Sequence, residues 1–377
     1  MPPLNLLIKP VSGNCNMRCS YCFYTDEMAH REEYMPKHMS TQTMETLIDR
    51  ALTFADQDCT FTFQGGEPTL AGLSFFKDFS AFAAAHPSSK KVRIHYSFQT
   101  NGLLIDAEWA EWFSRHHVLV GISLDGPKSI HDRYRIDHKN LGTFDRVMDA
   151  IRLLDAYKVD YNILTVVTNA SAYKGRKIYN FFQKNHLNFQ QYIECLDPLD
   201  VSRGTSEYSL TPEHFGIFLK DLFDCWYSDM KSGHYVYNRY FENLMMIILG
   251  LGPESCNLRG ICSPQWVIES DGSVYPCDFY VLDEWKLGNI CTDSFETMEH
   301  TRQTSGFIQV SHYLPEECRR CKWLNFCRNG CRRNRQITET GMAGKNYFCD
   351  AYRTFLEYAC PRLIEIYHLL KQPSMDR

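Results

Sequence analysis

The sequence has no long apolar run, no excess of positive charge and no repeated or low-complexity segment. Its longest nearly unbroken apolar stretch, residues 244–251, is far shorter than the roughly 20 residues that cross a bilayer, so a membrane-spanning helix is excluded. The formal charge of −5 argues against a nucleic-acid-binding arm. A composition of 44% apolar and 23% charged residues is that of an ordinary globular protein. No secretory signal is recognisable at the N-terminus, so we expect a cytoplasmic protein.

Cysteine is the residue in excess, and its distribution is uneven. Of the 16 cysteines, six lie in residues 1–250 and ten in residues 251–377. In a reducing compartment this many thiols indicate metal ligation or catalysis rather than disulfides. The change in composition predicts two domains, which we place at residues 1–235 and 236–377.

The first 200 residues alternate between short β-rich runs and stretches with helical periodicity. The predicted strands are 4–8, 59–64, 94–99, 118–124, 161–167 and 189–194, and the predicted helices are 41–54, 75–85, 107–116, 143–157 and 173–185. This alternation is typical of βα units around a parallel sheet. Six units are too few for a closed eight-stranded barrel. We therefore predict an α/β fold with a partial (β/α)6 TIM-like barrel, whose chemistry should lie at the carboxyl ends of the strands.

The rest of the chain has a different pattern. Thr211-Pro212-Glu213 predicts the start of a helix that runs toward residue 230, and a second helix is expected over 240–249. Residues 266–269 and 274–277 flank a turn and predict a β-hairpin. The stretch 316–349 shows little periodicity, and residues 350–370 predict a closing amphipathic helix.

Three cysteines follow the first predicted strand with the spacing Cys-x3-Cys-x2-Cys, at Cys15, Cys19 and Cys22. Three thiolates on one loop suit a [4Fe-4S] cube whose fourth iron stays open to an outside ligand. This spacing, with an aromatic residue before the last cysteine, resembles the radical S-adenosylmethionine (SAM) superfamily, in which the open iron chelates the methionine end of SAM. A zinc site is the alternative, but zinc usually takes four ligands in paired knuckles.

The same resemblance implies a SAM site at other predicted strand ends. The segment 64–68, Gln-Gly-Gly-Glu-Pro, resembles the element that contacts the SAM amine, since glycines let the backbone approach a ligand closely and a carboxylate can meet an ammonium. Each feature alone reads as a turn or a cap, but together they indicate SAM binding. The implied SAM contacts are Tyr21, Gly65, Gly66, Glu67, Ser123, Leu196 and, for the SAM carboxylate, Arg135. Tyr24 and Gln64 are candidates for substrate contact.

Eight C-terminal cysteines are the number that two fully ligated four-iron cubes need, and their spacing resembles the SPASM auxiliary-cluster domain. The resemblance assigns the first auxiliary cluster to Cys256, Cys262, Cys277 and Cys331, and the second to Cys318, Cys321, Cys327 and Cys349. Spacing alone equally allows Cys331 to join the nearer Cys318 group, and a zinc ribbon is a further alternative. The remaining cysteines are expected to serve packing: Cys59, Cys195, Cys225, Cys291 and Cys360.

Several local strings are similar to those of anaerobic sulfatase-maturating enzymes. They are Cys15 to Tyr24, Phe63 to Pro68, Gln99 to Gly102, Cys195 to Pro198 and Asp271 to Tyr280. The resemblance implies three [4Fe-4S] clusters, SAM, and oxidation of a cysteine or serine in a sulfatase motif to Cα-formylglycine. A 5′-deoxyadenosyl radical would abstract hydrogen from the substrate Cβ, and the auxiliary clusters would accept or relay the last electron.

Asp278 is the candidate base for the proton that this oxidation must release. It follows the cluster ligand Cys277 directly, and a base beside an electron acceptor couples the loss of proton and electron. The family resemblance implies the same role. An ordinary turn aspartate is the alternative.

The expected partners are an unfolded or nascent sulfatase and an electron donor such as flavodoxin or ferredoxin, with neither nucleic acid nor membrane. A basic patch argues weakly for nucleic acid; it comprises Arg319, Arg320, Lys322, Arg328, Arg332, Arg333 and Arg335. Two other readings stay open. One is another SPASM peptide maturase, such as a thioether-forming enzyme, for which a separate N-terminal recognition domain is expected. The other is a non-enzymatic electron carrier or zinc-binding adaptor.

Overall fold

The computed structural model describes residues 3–32, 36–337 and 343–371. Contacts between Cα atoms divide the chain into two compact units. The first unit comprises Met1–Leu124, His131–Asn162 and Pro264–Phe307, and the second comprises Asp125–Ile130, Ile163–Ser263 and Ile308–Arg377. Each unit is discontinuous in sequence. The predicted domain boundary after residue 235 stays a prediction.

The first unit contains a sheet whose central strands are parallel. Its strands are β1 (Leu4–Ile8), β2 (Asp58–Phe63), β3 (Arg93–Thr100), β4 (Leu119–Ser123), β8 (Trp266–Ile268), β9 (Ser273–Tyr275) and β10 (Gly288–Asn289), in the order β10-β9-β8-β1-β2-β3-β4. β1 pairs in parallel with β2, with Ile8 opposite Phe63, and also with β8, with Ile8 opposite Ile268. The β8–β9 and β9–β10 pairs are antiparallel.

The second unit contains a shorter parallel set and a separate strand pair. β5 (Tyr161–Val167) pairs with β6 (Phe189–Glu194), which pairs with β7 (Tyr237–Asn238). β11 (Arg335–Ile337) and β12 (Ala343–Asn346) form a small antiparallel pair in the cysteine-rich region. The two longest helices of the described residues, α8 (Pro212–Lys231) and α14 (Cys349–Lys371), pack against each other here.

Helices follow most of the strands. They are α1 (Phe23–Ala29), α2 (Thr41–Phe54), α3 (Leu73–Ala85), α4 (Ala107–Arg115), α5 (Lys128–Tyr134), α6 (Phe144–Ala156), α7 (Gly175–Lys184), α8 (Pro212–Lys231), α9 (Arg239–Ile248), α10 (Cys256–Arg259), α11 (Phe295–Thr304), α12 (Glu316–Arg319), α13 (Leu324–Cys327) and α14 (Cys349–Lys371). Side-chain caps mark the starts of several of them. Ser40 accepts a hydrogen bond from Thr43 N at the start of α2, and Thr211 caps α8 ahead of Pro212.

The six predicted strands are all present, with bounds within one residue of those expected. The hairpin at 266–277 and the closing helix are also confirmed. The cysteine-rich stretch contains short elements that its weak periodicity did not reveal: α12, α13, β11 and β12. No helix among the described residues is both long and apolar enough to cross a membrane.

Aromatic packing behind β2 and β3 fixes the strand ends that carry the candidate site. Phe61, Phe63, Phe76, Phe79 and Phe98 are buried and contact one another with ring centroids 4.9–5.9 Å apart. Burying each of these rings contributes about 1.5–3 kcal/mol. The carboxyl ends of β2 and β3 are therefore rigid supports for the loops that follow them.

Candidate active site

The Cys15–Cys22 loop connects β1 to α1, at the carboxyl end of β1 as expected for a barrel site. Cys22 is the residue before α1, and its backbone N–H donates to Cys19 O at 3.2 Å. Burial raises the pKa of the Cys15 thiol to about 12, and the charges of Glu67, Cys19 and Cys22 add to this. The three thiols therefore lie within electrostatic range of one another. Three partly exposed sulfurs on one tight loop fit the ligand set of an open-site cube.

The two glycines after β2 lie in close contact with other parts of the chain. A Cβ on Gly66, whose φ is +53°, would lie 2.2 Å from Asn14 O in the cysteine loop, and a Cβ on Gly65 would lie 2.5 Å from Cγ of Lys9. Glycine is therefore required at both positions by packing within the protein. Their predicted backbone contacts with SAM stay predictions.

Glu67 is fully buried and accepts four hydrogen bonds. They come from Thr69 N and Oγ1 (3.1 and 2.7 Å), Thr100 Oγ1 (2.8 Å) and Asn101 N (2.7 Å). The carboxylate thus joins the ends of β2 and β3, a role that the sequence did not reveal. Its predicted contact with the SAM ammonium stays a prediction.

Substituting Gly66 by alanine is expected to reduce the iron bound by the protein. The added Cβ would overlap two backbone carbonyls, Ser12 O and Asn14 O, and so displace the cysteine loop. Gly306→Ala is the matched control, because its φ of +68° carries the same conformational cost of about 1 kcal/mol with no atom within 4 Å. Iron per chain after anaerobic reconstitution is the measurement. Equal iron content in the two variants would contradict this explanation.

Asp278 lies in a buried polar cluster of the first unit. Lys9 Nζ contacts Asp278 Oδ1 at 2.5 Å and Gln64 Nε2 donates to Asp278 Oδ2 at 2.6 Å, so both carboxylate oxygens are held. Tyr24 donates to Glu269, which also accepts from Arg31 Nη1 at 2.8 Å. Burial raises the pKa of Glu269 to about 7, and the charge of Lys9 opposes this.

This cluster gives two of the predicted residues partners within the protein. Tyr24 is bonded to Glu269 and Gln64 to Asp278, and their predicted contacts with substrate stay predictions. Lys9, Arg31 and Glu269 were missed by the sequence analysis. The available signal was Lys9 itself, a lysine directly after the apolar strand Leu4–Ile8.

One core cluster links Asp278's segment to the cysteine loop. Tyr24, Val267, Tyr275 and Val281 are buried together, and Cys22 and Phe23 pack against them. The ring of Phe23 also contacts Phe279 edge-on with centroids 4.8 Å apart. The segment that contains the candidate base and the end of the candidate cluster loop therefore pack against the same side chains.

The other predicted SAM contacts have local partners. Tyr21 packs edge-on against Tyr134 with centroids 6.0 Å apart, and the Arg135 guanidinium lies 5.4 Å from the Tyr21 ring. Ser123, the last residue of β4, accepts a hydrogen bond from Gln99 Nε2 at 3.2 Å. Leu196 lies in the second unit, in the loop after β6. Their contacts with SAM stay predictions.

The C-terminal cysteines of the second unit form two groups. Electrostatic effects on the Cys331 thiol come from Cys256 and Cys262, whereas those on Cys327 come from Cys349, Cys318 and Cys321. Burial is the larger cause and raises the pKa of both thiols to about 12. Cys277, the fourth ligand that the resemblance assigns to the first group, lies in the first unit after β9.

Arg335 organises the backbone around these cysteines. It is buried, and it donates to the carbonyl oxygens of Gly260 (2.5 Å), Gly330 (2.9 Å) and Ser311 (2.7 Å). Cys262 N also donates to Ser311 Oγ at 2.9 Å. Arg335 is thus a structural residue and does not contribute to the basic surface patch proposed from the sequence.

The cysteines outside the three groups differ in burial. Cys59, Cys195 and Cys225 are buried, as expected for packing residues, whereas Cys291 and Cys360 are partly exposed. Within the described part of the chain, no three cysteine, histidine or acidic side chains are close enough to hold a single metal ion.

Comparison with known proteins agrees with this geometry. Residues 10–172 match the radical SAM superfamily, and residues 260–322 match an iron-sulfur cluster-binding domain. The chain is 45% identical to a cysteine-type anaerobic sulfatase-maturating enzyme of Clostridium novyi over 95% of both chains. It is 46% identical to one of Clostridium perfringens over 98% of this chain and 100% of that one. A serine-type enzyme of Bacteroides thetaiotaomicron is 31% identical over 95% of this chain and 90% of its own.

Solved structures show the same similarity. Native anSMEcpe with bound AdoMet and Cp18Cys peptide superimposes with a TM-score of 0.93 at 45% identity, covering 98% of this chain and 100% of that one. Streptococcus suis SuiB shares the fold, with a TM-score of 0.63 at 15% identity over 92% of this chain and 77% of its own.

The fold and the cysteine loop define a radical SAM enzyme that carries an auxiliary-cluster domain. The chain belongs to the family of anaerobic sulfatase-maturating enzymes. The predicted α/β fold, the enzyme class and the cofactors, SAM and [4Fe-4S] clusters, are thereby confirmed.

Proposed function

We propose that the enzyme oxidises a cysteine in a sulfatase active-site motif to Cα-formylglycine, with Asp278 as the base. The carrying observation is that Asp278 is held by Lys9 and Gln64 and lies in sequence between Tyr275 and Val281, which pack in one core with Cys22 at the end of the cysteine loop. The same resemblance supports an unfolded sulfatase polypeptide as the substrate, and a peptide is bound in the similar anSMEcpe structure.

The proposed reaction removes one hydrogen atom, one proton and one electron from the substrate. When bound, SAM on the open-site cluster supplies a 5′-deoxyadenosyl radical that takes the hydrogen atom from Cβ, and the auxiliary clusters supply an acceptor for the electron. Asp278 Oδ accepts the thiol proton, which leaves a carbon–sulfur double bond. Water then replaces sulfur by oxygen and releases hydrogen sulfide, giving the aldehyde. Serine in place of cysteine would give the aldehyde directly.

Similarity to named relatives supports cysteine as the preferred substrate residue. The cysteine-type relatives are 45–46% identical to this chain, whereas the serine-type relatives are 29–31% identical. The identity of the electron donor and the cytoplasmic location stay predictions.

Two peptides test the proposed function. Reconstituted protein is incubated anaerobically with SAM, reductant and a peptide containing either Cys-x-Pro-x-Arg or Ser-x-Ala-x-Arg. We expect the cysteine peptide to show the mass loss of a change from –CH2SH to –CHO, at a higher rate than the serine peptide reacts. SAM cleavage with both peptides unchanged would refute formylglycine formation, and a cross-linked cysteine peptide would indicate a thioether-forming maturase instead.

A further inference from the structure

Lys9 is a buried lysine whose position is set by three parts of the first unit. It follows β1 directly and is 0% exposed. Its backbone N–H donates to Ile268 O at 2.8 Å, which ties it to the end of β8. Its side chain passes over Gly65, where an added Cβ would lie 2.5 Å from Cγ and 2.9 Å from Cδ of Lys9. The missing side chain at Gly65 is thus what lets Lys9 reach inward.

The Lys9 ammonium lies between a carboxylate and an aromatic ring. Nζ is 2.5 Å from Asp278 Oδ1 and 3.8 Å from the centroid of the Tyr24 ring. The side chains of Lys9 and Asp278 are 1% and 9% exposed, so this ion pair is screened little by water. Removing one partner of such a pair leaves an uncompensated buried charge.

A second carboxylate lies close enough to act on the same ammonium. The charge of Lys9 lowers the pKa of Glu269, opposing the effect of burial. Glu269 also pairs with the buried guanidinium of Arg31, whose side chain is 1% exposed. Lys9, Asp278, Arg31 and Glu269 therefore belong to one buried polar cluster.

We propose that Lys9 is the positioning residue for the base of this reaction: it fixes Asp278 Oδ1 and balances its charge, while Gln64 fixes Oδ2. The inference rests on the proposed function of Asp278. Because Lys9 acts through Asp278 and not on the substrate Cβ, its loss should spare hydrogen abstraction and impair the proton removal that follows. The two steps are measured separately with a peptide deuterated at the cysteine Cβ.

The first test compares Lys9→Met, which is close in shape and uncharged, with wild type and with Lys91→Met, an exposed control. We expect Lys9→Met to transfer deuterium to 5′-deoxyadenosine while formylglycine per 5′-deoxyadenosine falls at least about tenfold, since a positioned base contributes about 10²–10⁴-fold. An unchanged ratio would overturn the inference. Absence of formylglycine from wild type would instead refute the proposed function. If Lys9→Met does not fold, the ratio is measured on Lys9→Arg, whose forked cation displaces the carboxylate.

Chemical rescue separates charge from packing. Lys9→Ala removes three carbon atoms and the ammonium group and so leaves a cavity. Propylammonium matches this cavity in size and carries the positive charge, whereas 1-propanol matches it in size and is neutral. A positioning cation predicts that propylamine restores the product ratio and that 1-propanol does not. Equal rescue by both compounds would show that Lys9 only fills space, and rescue by neither would count against a positioning cation.

Discussion

Asp278→Asn is expected to bind SAM and peptide but to lose formylglycine formation by about 10²–10⁴-fold, the usual contribution of a positioned acid or base. The amide keeps the shape of the side chain and its contact with Gln64, but it does not accept the thiol proton. Peptide oxidation is followed by mass spectrometry, and SAM cleavage is measured in the same samples. The exposed neighbour Glu284→Gln is the control and should react like wild type. Undiminished product from Asp278→Asn would reject Asp278 as the base.

The same substitution should also destabilise the fold, and the two effects can be separated. Removing the carboxylate leaves Lys9 buried without its nearest counter-charge, at a cost of about 3–5 kcal/mol. The double variant Asp278→Asn/Lys9→Met removes both charges and should regain most of that stability, as measured by thermal unfolding. It should remain inactive in peptide oxidation. Recovery of activity together with stability would mean that Asp278 has only a structural role.

Sequence reasoning found the features that local spacing encodes. The cysteine loop and the cap of α8 are short patterns set by neighbouring residues, and they lie where expected. The six strands were found because short apolar β-rich runs alternate with stretches of helical periodicity over the first 200 residues. The weakly periodic stretch from 316 to 349 gave no such signal, because in its described part Arg335 bonds to backbone carbonyls such as that of Gly330.

The polar cluster around Asp278 could not be read from spacing. Lys9 and Asp278 are 269 positions apart in sequence, and Tyr24 and Glu269 are 245 apart. They meet because β8 pairs with β1, a parallel pairing between distant segments. The hairpin was predicted from its turn, but no local sequence pattern indicates that its first strand, β8, pairs with β1 of the main sheet. The contacts of Gly65 with Lys9 and of Glu67 with Asn101 were missed for the same reason, because these partners are also distant in sequence.

The assignment of the C-terminal cysteines to two clusters predicts a large loss of bound iron when these cysteines are substituted. Spacing alone allows Cys331 to belong to either set. In the structure, the electrostatic effects on the Cys331 thiol come from Cys256 and Cys262, whereas those on the Cys318 thiol come from Cys349 and Cys321. Cys331→Ala and Cys349→Ala should therefore each remove a different cluster. With about four irons per cube, each single variant should lose about a third of the iron.

Paired substitutions decide between the two partitions. Cys331→Ala/Cys256→Ala should lose no more iron than Cys331→Ala alone, because both residues are assigned to one cluster. Cys331→Ala/Cys349→Ala should lose about eight irons and retain only the open-site cube, which still cleaves SAM. Iron per chain and the electron paramagnetic resonance of the reduced proteins give the count, with Cys360→Ala as the control outside the three groups. If Cys331 instead belonged with Cys318, then Cys331 and Cys349 would be ligands of the same cube. Cys331→Ala/Cys349→Ala would then lose only about four irons, and Cys331→Ala/Cys256→Ala would lose about eight.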